Sequence, residues 1–443
     1  MNNKLVITGL LSAATIVMAG CGTANSNSTA GTASVGNPAN ETRSNTTSGS
    51  HAVASSTPVT IQLWESHSSG PVAKTERALV NQFNAAHAHV KVNLNITHAS
   101  TKALAAVTAG QPPVLAEISH YIGKYVSANA LLDLHSLAST NPQTFWPGVE
   151  KNTTWGGKVY RYPADVKVEE FYYNKGLFAK AGITSVPATW TELASDLQKL
   201  KSVGVIPLGF KDSSAHILSA FISNGGQLFA NTRQTKVQFN NTAGQATFTY
   251  FRNLFHQKDM VFGHGNTMRA DFAAEKMAIV DGTSAGYQKI LAATGGKFQM
   301  GAFAFPAGIS GHSGGIVQGV GFVLFNGVTQ ADQQAAWTFV HWFNEPKQQA
   351  YWSMHSGFAP TTPNGAKAIP TGWLKTNQAE AVSIQVLKSS HTVARPNADA
   401  YSEVQSALDA AFFNAVTGKQ SVAAALAKLD GQANQYLSGK SAL

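Results

Sequence analysis

Between residues 59 and 118 the hydrophobic period changes four times, and this rhythm constrains the fold more than any other feature of the chain. Val59-Thr60-Ile61-Gln62-Leu63-Trp64 alternates and reads as a strand. Residues 72–87 follow with Val72, Leu79, Phe83 and Ala86 on one helical face. Val90, Val92, Leu94 and Ile96 then alternate with Lys91, Asn93 and Asn95, the pattern of a half-buried strand. Residues 100–109 read as a second helix, with Gly110 as its cap and Pro112-Pro113 forbidding continuation. Val114 to Ile118 is a third strand. Strands that alternate with helices at this spacing need crossover connections, which predicts a doubly wound α/β domain on a parallel sheet.

The same grammar recurs further along. Thr189-Trp190-Thr191-Glu192 is a capping box, followed by an apolar stripe of Trp190, Leu193, Leu197 and Leu200 and closed by Gly204. Residues 205–208, 277–280 and 298–303 are strand candidates, and Gly315 to Phe325 reads as one strand-like run whose glycines suggest close backbone approach. From residue 330 the chain reads as mostly helical, over 331–344, 346–355, 376–388, 401–416 and 421–437.

The N-terminus obeys a different logic. Lys4 precedes an apolar run from Leu5 to Met18 that ends in Ala19-Gly20, which has the form of a signal peptide and is short for a membrane span. Cys21 is the only cysteine, so the chain has no internal disulfide. Met18-Ala19-Gly20-Cys21 resembles the bacterial lipobox, which implies acylation of Cys21 as the new N-terminus. Residues 22–57 contain no Phe, Trp, Tyr, Leu, Ile or Met. Such a tract buries too little apolar area to offset its ordering entropy and is expected to be a disordered tether reaching roughly 30–35 Å.

Lys and Arg number 32 against 23 Asp and Glu, but only 12% of residues are charged and no basic run occurs. A diffuse positive surface suits an anionic wall, membrane or ligand, whereas nucleic acid demands a concentrated stripe. Catalytic signals are weak. Gly282-Thr283-Ser284-Ala285-Gly286 matches a nucleophile elbow and follows a strand candidate, but Gly311-His312-Ser313-Gly314-Gly315 matches too, and no His-Gly-Gly oxyanion segment is present. Glu169 and Glu170 are adjacent, so on a strand they face opposite ways and cannot flank a glycosidic bond. The 14 histidines are scattered without a metal-ligand spacing, and neither phosphate-loop fingerprint occurs. No metal, cofactor or enzymatic activity is expected. Capture of a small molecule without conversion is the reading that remains.

Residues 59–440 resemble the extracellular solute-binding proteins, family 1, of ABC importers. The resemblance is carried by Ile61 to His67; by Gln111-Pro112-Pro113-Val114-Leu115, with Val114 where Asp is usual; by Phe171-Tyr172-Tyr173-Asn174-Lys175 with Phe178 to Gly182 and Pro187 to Leu193; and by Met277 to Gly282, Gly357 to Pro360 and Ala394 to Pro396. It implies two doubly wound α/β lobes joined by a hinge, a type II periplasmic-binding-protein-like architecture with a helical C-terminal part. The expected divisions are a signal peptide (1–20), a lipidated tether (21–57), the first part of lobe 1 (58–165), mainly lobe 2 with a crossover (166–330), and a helical region completing both lobes (331–443). The implied protein is a monomer, anchored by lipid to the outer face of a bacterial cell membrane, that hands its ligand to an ABC permease.

Under the resemblance, Trp64 stacks on a sugar face or ends its strand in the core, and Glu65 and His67 bond hydroxyls. His120 follows the third strand at a ligand-contacting position where an acid is usual, and Lys167 lies in another contact region. Ser284 stands where many sugar binders carry Trp. Gly319 corresponds to a glycine whose backbone approaches the ligand, Phe358 replaces a Tyr of the phosphate binders, and Arg395 offers a guanidinium fork. A neutral mono- or oligosaccharide is the preferred ligand. Glycerol-3-phosphate or a glycerophosphodiester is the alternative, and a secreted serine hydrolase using Ser284 the reading from another class.

Overall fold

The computed structural model describes residues 58–119, 122–263, 265–396, 398 and 400–439. The lipobox, Cys21, the polar tract, His120 and Tyr121 lie outside them. In chain order the strands are β1 (Val59–Glu65), β2 (Val90–Ile96), β3 (Leu115–Ile118), β4 (Thr154–Trp155), β5 (Lys158–Val159), β6 (Tyr162–Pro163), β7 (Glu169–Asn174) and β8 (Ile206–Lys211). They continue with β9 (Met260–Gly263), β10 (Met277–Thr283), β11 (Met300–Ala304), β12 (Gly315–Val317), β13 (Gly321–Leu324) and β14 (Thr392–Ala394).

Two five-stranded sheets organise the chain, in the orders β2-β1-β3-β13-β6 and β11-β7-β10-β8-β9. In the first, β1 lies parallel to β2 and β3, as the alternation at 59–118 predicts, and helices 70–86 and 99–108 make the crossovers. The sheets are mixed, however, and not purely parallel. β13 runs antiparallel to β3 and β6, and in the second sheet β7 runs antiparallel to β10 and β11. The reason is connectivity: β13 reaches the first sheet only after the chain has built the second.

Each sheet carries its own apolar core. Leu63, Leu79, Phe83, Val92 and Leu115 pack with Phe322, Phe339, Phe343 and Trp352 around the first. Leu197, Phe210, Phe221, Phe248 and Phe303 pack with Leu408, Phe412 and Leu426 around the second. The late helices are thus shared, 330–343 and 346–356 covering the first sheet and 401–416 and 422–438 the second. The predicted capping box forms at Thr189, whose hydroxyl accepts from Glu192 N at 3.1 Å.

The run 315–325 is not one strand. It breaks into β12, which pairs with β14, and β13, which joins the first sheet. Gly319 sits at the break, where an added Cβ would lie 2.1 Å from the Asp165 carbonyl oxygen. The backbone passes there from one structural unit to the next, and only a residue without a side chain fits.

Candidate functional site

Several strands of chain cross between the two sheets, and most of the predicted site residues gather around them. Lys167 and Gln318 exchange main-chain hydrogen bonds of 2.8 and 3.0 Å. Val320 N donates to Asp165 Oδ1 at 2.8 Å. Ala359 N, next to Phe358, donates to Val166 O at 2.8 Å, Arg395 N to Val317 O at 3.1 Å, and Ser284 N to Val168 O at 3.1 Å. Lys167, Ser284, Gly319, Phe358 and Arg395, spread over 229 residues of sequence, thereby share one hydrogen-bonded frame. This is the geometry of a two-lobed protein whose lobes are joined by several short crossovers.

The carboxyl end of β1 carries the second group. Strand alternation sends Trp64 and Glu65 to opposite faces. Trp64 packs, partly buried, with the small cluster of Ala103, Tyr125, Trp155 and Phe325. Glu65, 1% exposed, accepts the backbone N–H of His67. The imidazole Nδ1 of His67 lies 3.5 Å from Glu65, 3.4 Å from Glu76 on helix 70–86, and 3.7 Å from Glu117 on β3. Its ring meets Phe358 edge-on at 6.2 Å. Burial pushes the carboxyls of Glu65, Glu76, Glu117 and Asp165 upward; Glu65 raises Glu76 further, and Glu76 raises Glu117.

Arg395 reaches Ser119 O and Gln405 Oε1, each at 3.5 Å, and lies 5.7 Å from the Tyr401 ring centroid. Burial lowers the pKa of this guanidinium, and among the described residues no carboxylate pairs with it. It lines a cavity of about 610 Å³ together with Lys151, Trp155, Arg233 and Val393. Trp155 is 7% exposed and its indole N–H has no partner. An aromatic face, an unpartnered N–H and several cations without a carboxylate among the described lining residues are equipment for a polar guest.

Sequence reading missed Glu76, Glu117, Trp155 and Arg233. Two of them left a signal. Glu76 falls four residues after Val72 and three before Leu79, on the apolar stripe of its helix, and Glu117 interrupts a buried strand. The elbow reading of Ser284 is half right in its local structure: β10 runs into a short 3-10 turn and then helix 287–294. Its hydroxyl is buried, however, and among the described residues it has no hydrogen-bond partner and no base to activate it. Ser313 donates its hydroxyl to Phe305 O at 2.7 Å. Glu169 and Glu170 do face opposite sides of β7, toward Gln318 and Ser383 respectively.

The fold and crossovers define a type II periplasmic-binding-protein-like architecture of the maltose-binding kind. Residues 78–381 match the family model described as bacterial extracellular solute-binding protein, and the chain belongs to that family. Its members are transport components rather than enzymes, and the family places the chain outside the cytoplasm. The cyclic α-maltosyl-1,6-maltose binding protein of Arthrobacter globiformis superposes with a TM-score of 0.75 at 22% identity, over 86% of this chain and 100% of that one. The sugar-binding protein MalE of Xanthomonas citri gives 0.76 at 18% identity, over 86% and 98%. UgpB of Mycobacterium tuberculosis, solved with glycerophosphocholine, gives 0.73 at 19% identity, over 87% and 99%. Among curated sequences, a binding protein of Brucella abortus (strain 2308) is 46% identical over 54 residues, 12% of this chain and 13% of the relative. The match to that relative therefore spans a small part of its length.

Proposed function

We propose that this chain is the solute-capturing component of an ABC importer, taking a neutral mono- or oligosaccharide between its lobes and delivering it to the permease. The observation that carries the reading is the cavity of about 610 Å³ in which Trp155 and Arg395 meet Thr232, Arg233 and Gln234. Trp155 offers an apolar surface for sugar C–H groups, and Arg395 a fork for a hydroxyl pair. Lys167, Gly319, Phe358 and the partly exposed His67 supply further contacts in this reading, buried Glu65 holds the His67 backbone, and His120 remains a candidate outside the described residues. Ser284 helps set the ligand's size, and Trp64 supports the site from the neighbouring core. The sugar-binding neighbours agree in fold with such a role.

One observation favours a second reading. Among the described residues Lys151, Arg233 and Arg395 line the cavity and no acid does, which suits the phosphate of a glycerophosphodiester or glycerol-3-phosphate. Isothermal titration of the purified protein against maltose-series sugars, glycerol-3-phosphate and glycerophosphocholine tests both readings. Saturable 1:1 binding without turnover supports capture, and the class that binds selects between them. Binding of neither class, or consumption of the solute, overturns the proposal.

Acylation of Cys21 completes this picture, with residues 22–57 as tether and the protein a monomer at the outer membrane face. Each buried methylene of an acyl chain adds about 0.8 kcal/mol of membrane affinity. Replacing Cys21→Ser is expected to release the protein into the medium. Retention of the variant on the cell would refute the anchor.

A further inference from the structure

The carboxylates around His67 form an arrangement that solute capture alone does not explain. Glu65, Glu76 and Glu117 come from β1, helix 70–86 and β3, and all three are at least nine-tenths buried, with exposures of 1%, 1% and 4%. They converge on one imidazole nitrogen, His67 Nδ1, at 3.4–3.7 Å. That nitrogen has no hydrogen-bond partner. Glu76 meets no polar partner but the neighbouring carboxyls of Glu65 and Glu117, and Oε2 of Glu117 has none outside this group. Asp165, 2% exposed, adds a fourth carboxylate to the field acting on Glu76 and Glu117, with its Oδ2 also unpartnered. Arg77 acts on Glu65 only as a minor charge.

Buried polar atoms are nearly always paired, and several like charges are not gathered in a dry site without a counter-charge. Lys167 and Arg161 act on Asp165, but among the described residues the three glutamates share one imidazole as their ion-pair partner. Glu76 makes the case independent of acid clustering alone, because a helix whose stripe is otherwise apolar inserts an unpartnered carboxylate toward His67. One ligand atom each from Glu65, His67 and Glu76 lies within 4.8 Å of the others. Ligands about 2.0–2.4 Å from a common centre have that mutual spacing.

We propose that Glu65, His67 and Glu76 hold one divalent cation in the first lobe, at the carboxyl ends of β1 and β3, with Glu117, whose Oε2 lies 3.7 Å from His67 Nδ1, closing in as the fourth ligand. Three carboxylates with one imidazole suit a borderline ion such as Zn²⁺ or Mn²⁺, whereas Ca²⁺ and Mg²⁺ take oxygen ligands throughout. His67 is 22% exposed and gives the site its side toward solvent. The ion would fix β1, β3 and helix 70–86 to one another. The inference does not rest on the identity of the transported solute.

The test uses the full soluble chain from residue 22 onward, dialysed against EDTA and then titrated with ZnCl₂, MnCl₂ or CaCl₂ and no solute present, by calorimetry and thermal melting. The expected result is one Zn²⁺ or Mn²⁺ per chain at micromolar or tighter affinity, with a melting temperature raised by several degrees. Glu76→Gln should weaken binding at least tenfold. Because it also removes a buried like charge, it should melt no lower than the metal-free parent, which separates a lost ligand from a damaged fold. Cobalt(II) should give a visible ligand-field spectrum that His67→Ala changes. Absence of 1:1 binding by either ion up to millimolar concentration overturns the proposal, as does binding indifferent to both substitutions. Stronger binding of Ca²⁺ than of Zn²⁺ and Mn²⁺ would overturn the role given to His67.

Discussion

His216 Nε2 stands 2.8 Å from Glu169 Oε2, and both side chains are buried. The pair ties helix 214–223 to β7, while the other oxygen of Glu169 accepts the amide of Gln318, between β12 and β13. Asp281 lies 3.7 Å from the same imidazole and accepts Lys211 N at 2.7 Å. Burial opposes charging of His216, but Asp281 and Glu169 outweigh it and raise the imidazole's pKa. Glu169→Ala leaves His216 with Asp281 alone and the Gln318 amide without its acceptor, so it is expected to destabilise the protein by about 1–3 kcal/mol. Urea unfolding checks this, and a change within experimental error would show that the pair is held by its surroundings.

At Gly319 the restriction is steric. A Cβ there would meet the Asp165 carbonyl oxygen at 2.1 Å and Oδ1 at 3.0 Å. A backbone atom cannot swing aside as a side chain can, so Gly319→Ala should cost about 1–3 kcal/mol or more as overpacking. Because the crossover moves with it, the solute-induced change in Trp fluorescence should shrink as well. Parent-like melting and titration curves would show that the crossover yields freely.

Arg395→Ala removes the cavity's partly buried guanidinium and its charge-assisted bonds. A loss of solute affinity of roughly tenfold or more is expected, with thermal stability little changed. Trp64→Phe, by contrast, touches a side chain packed into the cluster of Tyr125, Trp155 and Phe325. It should lower the melting temperature and leave affinity nearly unaltered. A reversed pattern in calorimetric titrations would move the site from the cavity to the end of β1.

Stability should fall as pH rises from acid to mildly alkaline. Burial pushes Glu380 up to about 8 from its usual 4.5, with the Ser353 hydroxyl pulling the other way. Glu170 faces it from β7 and is itself raised, chiefly by burial. Above pH 4.5 the unfolded chain releases the Glu380 proton while the folded chain keeps it. The contribution is therefore complete below pH 4.5 and is lost as pH rises through about 8. Melting temperature is expected to be higher at pH 5 than at pH 8.5, and Glu380→Gln to flatten that slope. An unchanged slope would assign the dependence to other groups.

The periodicity of residues 59–118 determined β1, β2 and β3, their parallel order and the helices between them, because alternation and a 3.6-residue stripe are local properties of which face is apolar. The capping box at Thr189 was legible for the same reason: its bonds close within four residues. The collinear motifs likewise carried the family. The break at Gly319 was not legible, since its cause is Asp165, 154 residues away in sequence. Nor was the meeting of Glu65, Glu76 and Glu117 on His67, although Glu76 was conspicuous on its apolar stripe. Trp155 and Arg395 line one cavity only after the chain has crossed between its sheets and returned. Sequence by itself settled what each segment becomes, because that depends on near neighbours. Tertiary structure decided which acids share a buried space and which cations lack a partner, because burial and charge balance depend on residues brought together from distant parts of the chain.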